Sequence, residues 1–175
     1  KEFAVYQLIR AYRKRGHLLS NTNPIRQRKD RGAHLDLHDF GLTEKDLDTV
    51  FLASEFLGLA KFTLRNIIAH LQKIYTSSIG IEYTYINNEA ICKWVEREFE
   101  KTITTELPLL KKKRILEKLN QGVIFEKFLH TKFIGQKRFS LEGGESTIAA
   151  LDAIICEAAE NNVQEVVMGM AHRGR

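Results

Sequence analysis

Cysteine is scarce in this sequence. Cys92 and Cys156 are the only two among 175 residues, they lie far apart, and neither belongs to a CxxC pair. A disulfide scaffold is therefore excluded, and a reducing, cytoplasmic setting is the expectation. Neither cysteine has a partner at zinc-finger spacing, so no structural zinc site is expected. Long apolar runs are missing too: no stretch approaches the roughly 18 residues a membrane helix needs. No secretory leader opens the chain, and internal repeats and low-complexity tracts are absent. The first residue is Lys1 rather than Met, and Arg175 directly follows a small-residue turn. Both ends are expected to be cuts in a longer chain.

What is present is ordinary globular material: 43% hydrophobic and 28% charged residues, enough to build a core and too apolar for disorder. Lys and Arg number 27 against 22 Asp and Glu, giving a net charge of +5 and a pI near 9.2. Such mild basicity suits an anionic substrate, a nucleic acid or a plain solvated surface. Positive residues cluster at residues 10 to 31 and 111 to 114. Aromatic residues are not interleaved with them in a nucleic-acid motif, and the lysine run is most simply a solvated helix face. A basic helical binding or scaffold module without catalytic role stands as the alternative reading.

Apolar spacing predicts helices along most of the chain. Phe3, Tyr6, Ile9 and Tyr12 mark the first, with Gly16 at its end. Polar residues, Asn21, Asn23, Pro24 and Gly32 predict a long loop up to about Gly41. Thr43 and Asp46 resemble a capping box, and a helix of two or three turns is expected after it. Thr63 is an N-cap candidate ahead of the stripe Leu64, Ile67, Ile68, Leu71 and Ile74. Asn88 caps a helix carrying Trp94, Val95 and Phe99. Pro108 opens a fourth, which Gly122 is expected to break; Val123 to Phe133 reads as a fifth stripe.

The texture changes near Gly135. Three glycines fall in residues 135 to 144, a helix is expected from Glu145 to about Asn162, and residues 163 to 170 read as a buried, β-branched parallel strand. The fold class expected is thus mainly α: a helical domain at 1–134, followed at 135–175 by the first elements of an α/β domain. Such a strand would lack most of its hydrogen-bonding neighbours within this chain.

Two blocks hold candidate chemistry. After the expected strand come His172, Arg173 and Arg175, where open α/β sheets place ligands. A His moves protons near neutral pH, and an Arg fork binds carboxylate or phosphate. Upstream, Lys137 to Glu145 reads KRFSLEGGE. Adjacent glycines before a helix permit close backbone approach, and free N–H groups at a helix start favour an anion. Glu142 and Glu145 oppose simple phosphate binding there, so a tight turn with capping carboxylates is preferred. The block lacks the Lys-Ser/Thr ending of a Walker loop. His34 and His38 lie four apart beside Asp36 and Asp39, but without a helix pattern to align them no metal ligand is assigned. His70 and His130 read as surface or boundary residues, and His17 as docking the end of the first helix.

These blocks also carry a resemblance. KRFSLEGGES, a helix, and then EVVMGMAHRGR are similar to the entry into the first thiamine-binding domain of the E1 component of 2-oxoglutarate dehydrogenase. RGHLLSNTNPI, FGLTEKDLD, IYTSSIGIEYTYI and FEKFLHTKFIGQKRFSLEG resemble that family's segments in the same order. One departure is visible: Ala149 or Ala150 stands where the family has a Pro, which removes a kink.

The resemblance implies decarboxylation of 2-oxoglutarate on thiamine diphosphate and transfer of succinyl to the lipoyl arm of an E2 partner, dihydrolipoyl succinyltransferase. It also implies a homodimer of the full-length enzyme, a small 2-oxo acid as substrate, and neither nucleic acid nor membrane as partner. His172 would be catalytic and would also bind substrate. Arg138 would pair with a substrate carboxylate, and Glu142, Glu145 and Arg173 would support them from behind. The family's diphosphate and Mg2+ motif does not occur in this sequence. Thiamine diphosphate and Mg2+ are therefore expected in the full-length enzyme, with no cofactor and no metal bound by these residues alone, and with no activity of their own.

Overall fold

The computed structural model describes residues 1–26, 28–29, 32–136 and 140–169. It is mainly α, with five α-helices and one two-stranded sheet among the described residues. Its contacts divide into two compact units, Lys1–Glu106 and Leu107–Arg175. The change of texture at Gly135 falls within the second of these, between its two helices. Among the described residues no helix is long and apolar enough to cross a membrane.

In the first unit, α1 (Glu2–Arg15) buries Val5, Leu8, Ile9, Ala11 and Tyr12 along one face. The same helical spacing in α2 (Leu64–Tyr75) buries Leu64, Ile67, Leu71, Ile74 and Tyr75. These two faces make the centre of the core, which Leu42, Phe51, Ala53 and Tyr83 complete from the connecting segments. Truncating a fully buried leucine such as Leu71 to Ala would cost about 2–5 kcal/mol. Both predicted caps are present. The Thr63 hydroxyl accepts the Asn66 N–H at 3.4 Å, and the Asn88 side chain accepts the Ile91 N–H at 3.1 Å at the start of α3 (Glu89–Ile103).

Between α1 and α2 the chain is built from short pieces. Strands β1 (Val50–Phe51) and β2 (Phe62–Thr63) pair antiparallel, Val50 opposite Thr63 and Phe51 opposite Phe62. The capping box at Thr43 forms, but it opens a single 3-10 turn, Glu44–Asp46, in place of the two or three helical turns expected. Asp46 is drawn into that box: it accepts the Thr43 N–H at 2.9 Å and also binds the Lys1 ammonium. The chain then needs an extended segment at β1, and the helix goes no further. Gly16 also acts differently from a left-handed helix stop. Its backbone is right-handed (φ −57°), and a Cβ placed there would stand 2.5 Å from Tyr75 Cβ. The glycine is there so that the end of α1 can lie against α2.

The second unit is a helical pair, α4 (Leu109–Lys132) and α5 (Ser146–Glu160). The break expected at Gly122 does not occur. A single helical glycine costs only about 1 kcal/mol, and its missing Cβ admits Ile148 of α5, whose Cδ1 would lie 2.6 Å from that Cβ. α5 runs without interruption through Ala149 and Ala150, as the absence of Pro there predicts. Residues 163–169 form no strand. Their N–H and C=O groups have no neighbouring strand among the described residues to pair with, and a strand exists only through such pairing. Neither helix of the pair buries a residue fully. On α4, Ile124, Phe125 and Phe128 remain 65%, 60% and 57% exposed.

Candidate functional site: the turn before α5

Arg138, His172 and Arg173 lie outside the described residues, as does Arg175. Of the predicted site, the structure places Glu142, exposed, and Glu145, half-buried, in the turn that leads into α5. That turn is tight. Gly143 has a left-handed backbone (φ +84°), which L side chains rarely adopt. The Gly144 N–H closes it on the Leu141 carbonyl at 2.8 Å. The Glu145 carboxylate accepts the Gly143 N–H at 2.9 Å, and the Glu142 N–H donates to the Ser140 hydroxyl at 3.0 Å.

The anchor of this turn comes from α4, and sequence reasoning did not single it out. Glu126 accepts the Leu141 N–H at 2.7 Å and the Ser140 hydroxyl at 3.3 Å. At the other end of the helix pair, Arg114 makes a forked pair with Asp152 (2.6 and 3.1 Å), Lys118 adds a contact of 3.1 Å, and Arg114 reaches Cys156 Sγ at 2.9 Å. The Arg114 guanidinium, followed by the Lys118 ammonium, holds the Asp152 carboxyl down to about 2. The helix pair is thus tied by the ion pairs to Asp152 at one end, by the Gly122–Ile148 contact, and at the other end by the hydrogen bonds of Glu126 to the turn before α5.

This arrangement does not fit a diphosphate. Several N–H groups at the mouth of α5 are taken: Gly143 by the Glu145 carboxylate, Gly144 by the Leu141 carbonyl, Thr147 by the Gly144 carbonyl and Ile148 by the Glu145 carbonyl. Glu142 and Glu145 add negative charge beside them, which disfavours an anion. The turn is of the capped, carboxylate-rich kind rather than a phosphate cradle. What it provides is a hydrogen-bonded turn that begins directly after residues 137–139.

The histidines of the first unit have structural settings. His17 is half-buried, with Nε2 3.9 Å from a Glu82 oxygen. Burial lowers the His70 pKa from its ordinary value, and His130, in the second unit, is exposed. Ligand atoms of Asp36, His38 and Asp39 gather within 4.8 Å of one another on the surface. His34 Nδ1 lies 3.8 Å from Asp39 Oδ1. Both carboxylates already close the capping box of the 3-10 turn Leu37–Phe40, and no ion is assigned to them.

No family model matches the chain. Curated proteins do. The chain is similar to the 2-oxoglutarate dehydrogenase E1 component of Cupriavidus necator, 44% identical over all of this chain and 19% of that protein. It is 44% identical to the multifunctional 2-oxoglutarate metabolism enzyme of Mycolicibacterium vanbaalenii, over all of the chain and 14% of the relative. To the 2-oxoglutarate dehydrogenase E1/E2 component of Corynebacterium glutamicum it is 41% identical, over all of the chain and 15% of the relative. It spans less than a fifth of the length of each. Over its whole extent the chain therefore belongs to the 2-oxoglutarate dehydrogenase E1 family.

Proposed function

We propose that these residues are part of an enzyme that decarboxylates 2-oxoglutarate with thiamine diphosphate and Mg2+ and passes a succinyl group to the lipoyl group of an E2 dihydrolipoyl succinyltransferase. The observation that carries the reading is identity of 41–44% to three relatives named for 2-oxoglutarate, extending over all of the chain. Because the described turn does not fit a diphosphate, the cofactor and its metal ion belong in this proposal to other parts of the protein. This stretch of the enzyme then carries no activity by itself.

Within that enzyme the chain's own side chains serve the substrate. Arg138 forms a forked pair with a carboxylate of the 2-oxo acid, an arrangement that fixes both position and charge. His172 hydrogen-bonds the substrate and moves a proton near neutral pH. Glu142, Glu145 and Arg173 hold these groups in place. The full protein works as a homodimer in the cytoplasm. The partly uncovered apolar surface of α4 supports a scaffold role for the helices inside the larger protein, since a helix apolar on several sides is ordinarily covered on several sides.

The test is turnover of 2-oxoglutarate by the whole protein, followed by ferricyanide reduction with thiamine diphosphate and Mg2+ supplied. Activity that is lost in His172→Ala while the variant keeps its unfolding temperature supports the reading. Equal activity in the two proteins removes His172 from the site.

A further inference from the structure

Glu126 stands outside every motif to which a role has been given, yet it is the residue that reaches from α4 into the turn at residues 140–145. Among the described residues, its two hydrogen bonds are the only side-chain hydrogen bonds that come to Ser140 or Leu141 from outside the turn. The rest of the turn is held by its own members: Glu142 N–H on Ser140, Gly143 N–H on Glu145, Gly144 N–H on Leu141. Adjacent glycines at 143 and 144, the first left-handed, give such a segment several alternative backbone paths. A carboxylate on a 24-residue helix removes that freedom. It accepts two hydrogens with one side chain, and bonds to a charged acceptor are the stronger kind.

We infer that Glu126 is a positioning residue for substrate binding: it fixes the backbone at Ser140 and Leu141, and through it the start of the turn that Arg138 precedes by two residues. The inference rests on the proposed function, in which Arg138 meets a substrate carboxylate. Glu126 itself touches no substrate. Its loss therefore weakens substrate binding and leaves the chemical step alone, which appears as a raised KM at nearly constant kcat.

The experiment uses the whole protein extended to its natural end, as wild type, Glu126→Ala, Glu126→Gln and Ser140→Ala. KM and kcat for 2-oxoglutarate are read beside amide hydrogen exchange of the peptide holding residues 140–145. For Glu126→Ala the expected result is a KM raised about tenfold with kcat within about twofold, and faster exchange at Leu141. Glu126→Gln keeps an acceptor oxygen for Leu141 and recovers most of the KM. Ser140→Ala removes the weaker Glu126 contact together with the acceptor of the Glu142 N–H, leaves the Glu126–Leu141 bond in place, gives a smaller rise and serves should Glu126→Ala not fold. Faster exchange with an unchanged KM overturns the inference, since the tie would then be structural only. A parallel loss of kcat and unfolding temperature without rescue by Gln overturns it as well. A wild type that turns over no 2-oxo acid sinks the underlying functional reading, and its exchange data still report whether Glu126 holds the turn.

Discussion

Arg13 on α1 and Glu100 on α3 form a forked ion pair, Nε to Oε1 at 2.8 Å and Nη2 to Oε2 at 3.1 Å, with 13% of each side chain exposed. Glu96 approaches the same guanidinium at 3.1 Å, and the Tyr75 hydroxyl donates to Glu100 at 2.5 Å. α3 buries no residue completely, so this network is a main tie holding it to α1 and α2. Arg13→Met leaves two carboxylates without their cation. The expected loss is about 1–3 kcal/mol, below the roughly 3–5 kcal/mol of breaking a fully buried pair from one side, because these side chains keep some contact with solvent. Urea unfolding of the chain measures it, and Arg13→Met combined with Glu100→Leu should recover part of the loss.

Two glycines separate space from conformation. Gly16→Ala drives a methyl to 2.5 Å from Tyr75 Cβ, a contact that neither backbone can relieve cheaply, and about 1–3 kcal/mol of destabilisation is expected. Gly41 has open space around it but a left-handed backbone (φ +67°). Gly41→Ala should cost about 1–2 kcal/mol from backbone strain alone. Introducing Tyr75→Gly, which removes the clashing Cβ itself, should reduce the cost of Gly16→Ala and leave that of Gly41→Ala unchanged, as read by thermal unfolding.

In the second unit, Gly122→Ala gains about 1 kcal/mol of helix propensity and meets Ile148 Cδ1 at 2.6 Å. The obstacle is the far end of a flexible side chain, so the single substitution should fall near neutral. Ile148→Val removes the crowding atom. A double-mutant cycle should therefore show favourable coupling of about 1 kcal/mol between the two changes, and additivity would mean that the helices do not approach at this point.

Acid should loosen both units. The Lys1 ammonium, then the Thr43 N–H, hold the Asp46 carboxyl down to about 2, and Arg114 does the same for Asp152. In each case the fold favours the charged form, so the stabilisation is present above the ordinary value near 3.8 and is lost as pH falls towards 2. Denaturant midpoints measured from pH 5 to pH 2 should fall, and Asp46→Asn and Asp152→Asn should each flatten that fall. A profile identical in wild type and variants contradicts both assignments.

The parts that could be read from the sequence are those decided locally. Thr63 and Asn88 cap their helices because the capping bond spans three residues, and the stripes of α1 and α2 bury the faces their spacing predicts. The misses are decided by distant partners. Gly16 does stand at the end of α1 as read, with only its close approach to Tyr75 hidden from the sequence, whereas Gly122 looks like a helix end until Ile148 is set against it. The Thr43 capping box forms as read, but Asp46 also answers to Lys1, forty-five positions away. Residues 163–169 have strand composition, and composition alone supplies no partner for their backbone. In the candidate site, KRFSLEGG drew attention to the turn itself. Glu126, part of the same family-like string, gave no sign of its role, because its partners are fourteen and fifteen positions along the chain and one of them is a backbone N–H.

The most direct measurement of the central claim is release of labelled CO2 from C1 of 2-oxoglutarate by the whole protein, with 2-oxoadipate and pyruvate run in parallel. The expected result is cofactor-dependent release that is fastest with 2-oxoglutarate and abolished in His172→Ala. Release from none of the three acids in the presence of thiamine diphosphate and Mg2+ would contradict the enzymatic reading and leave the helices as a binding or scaffold module.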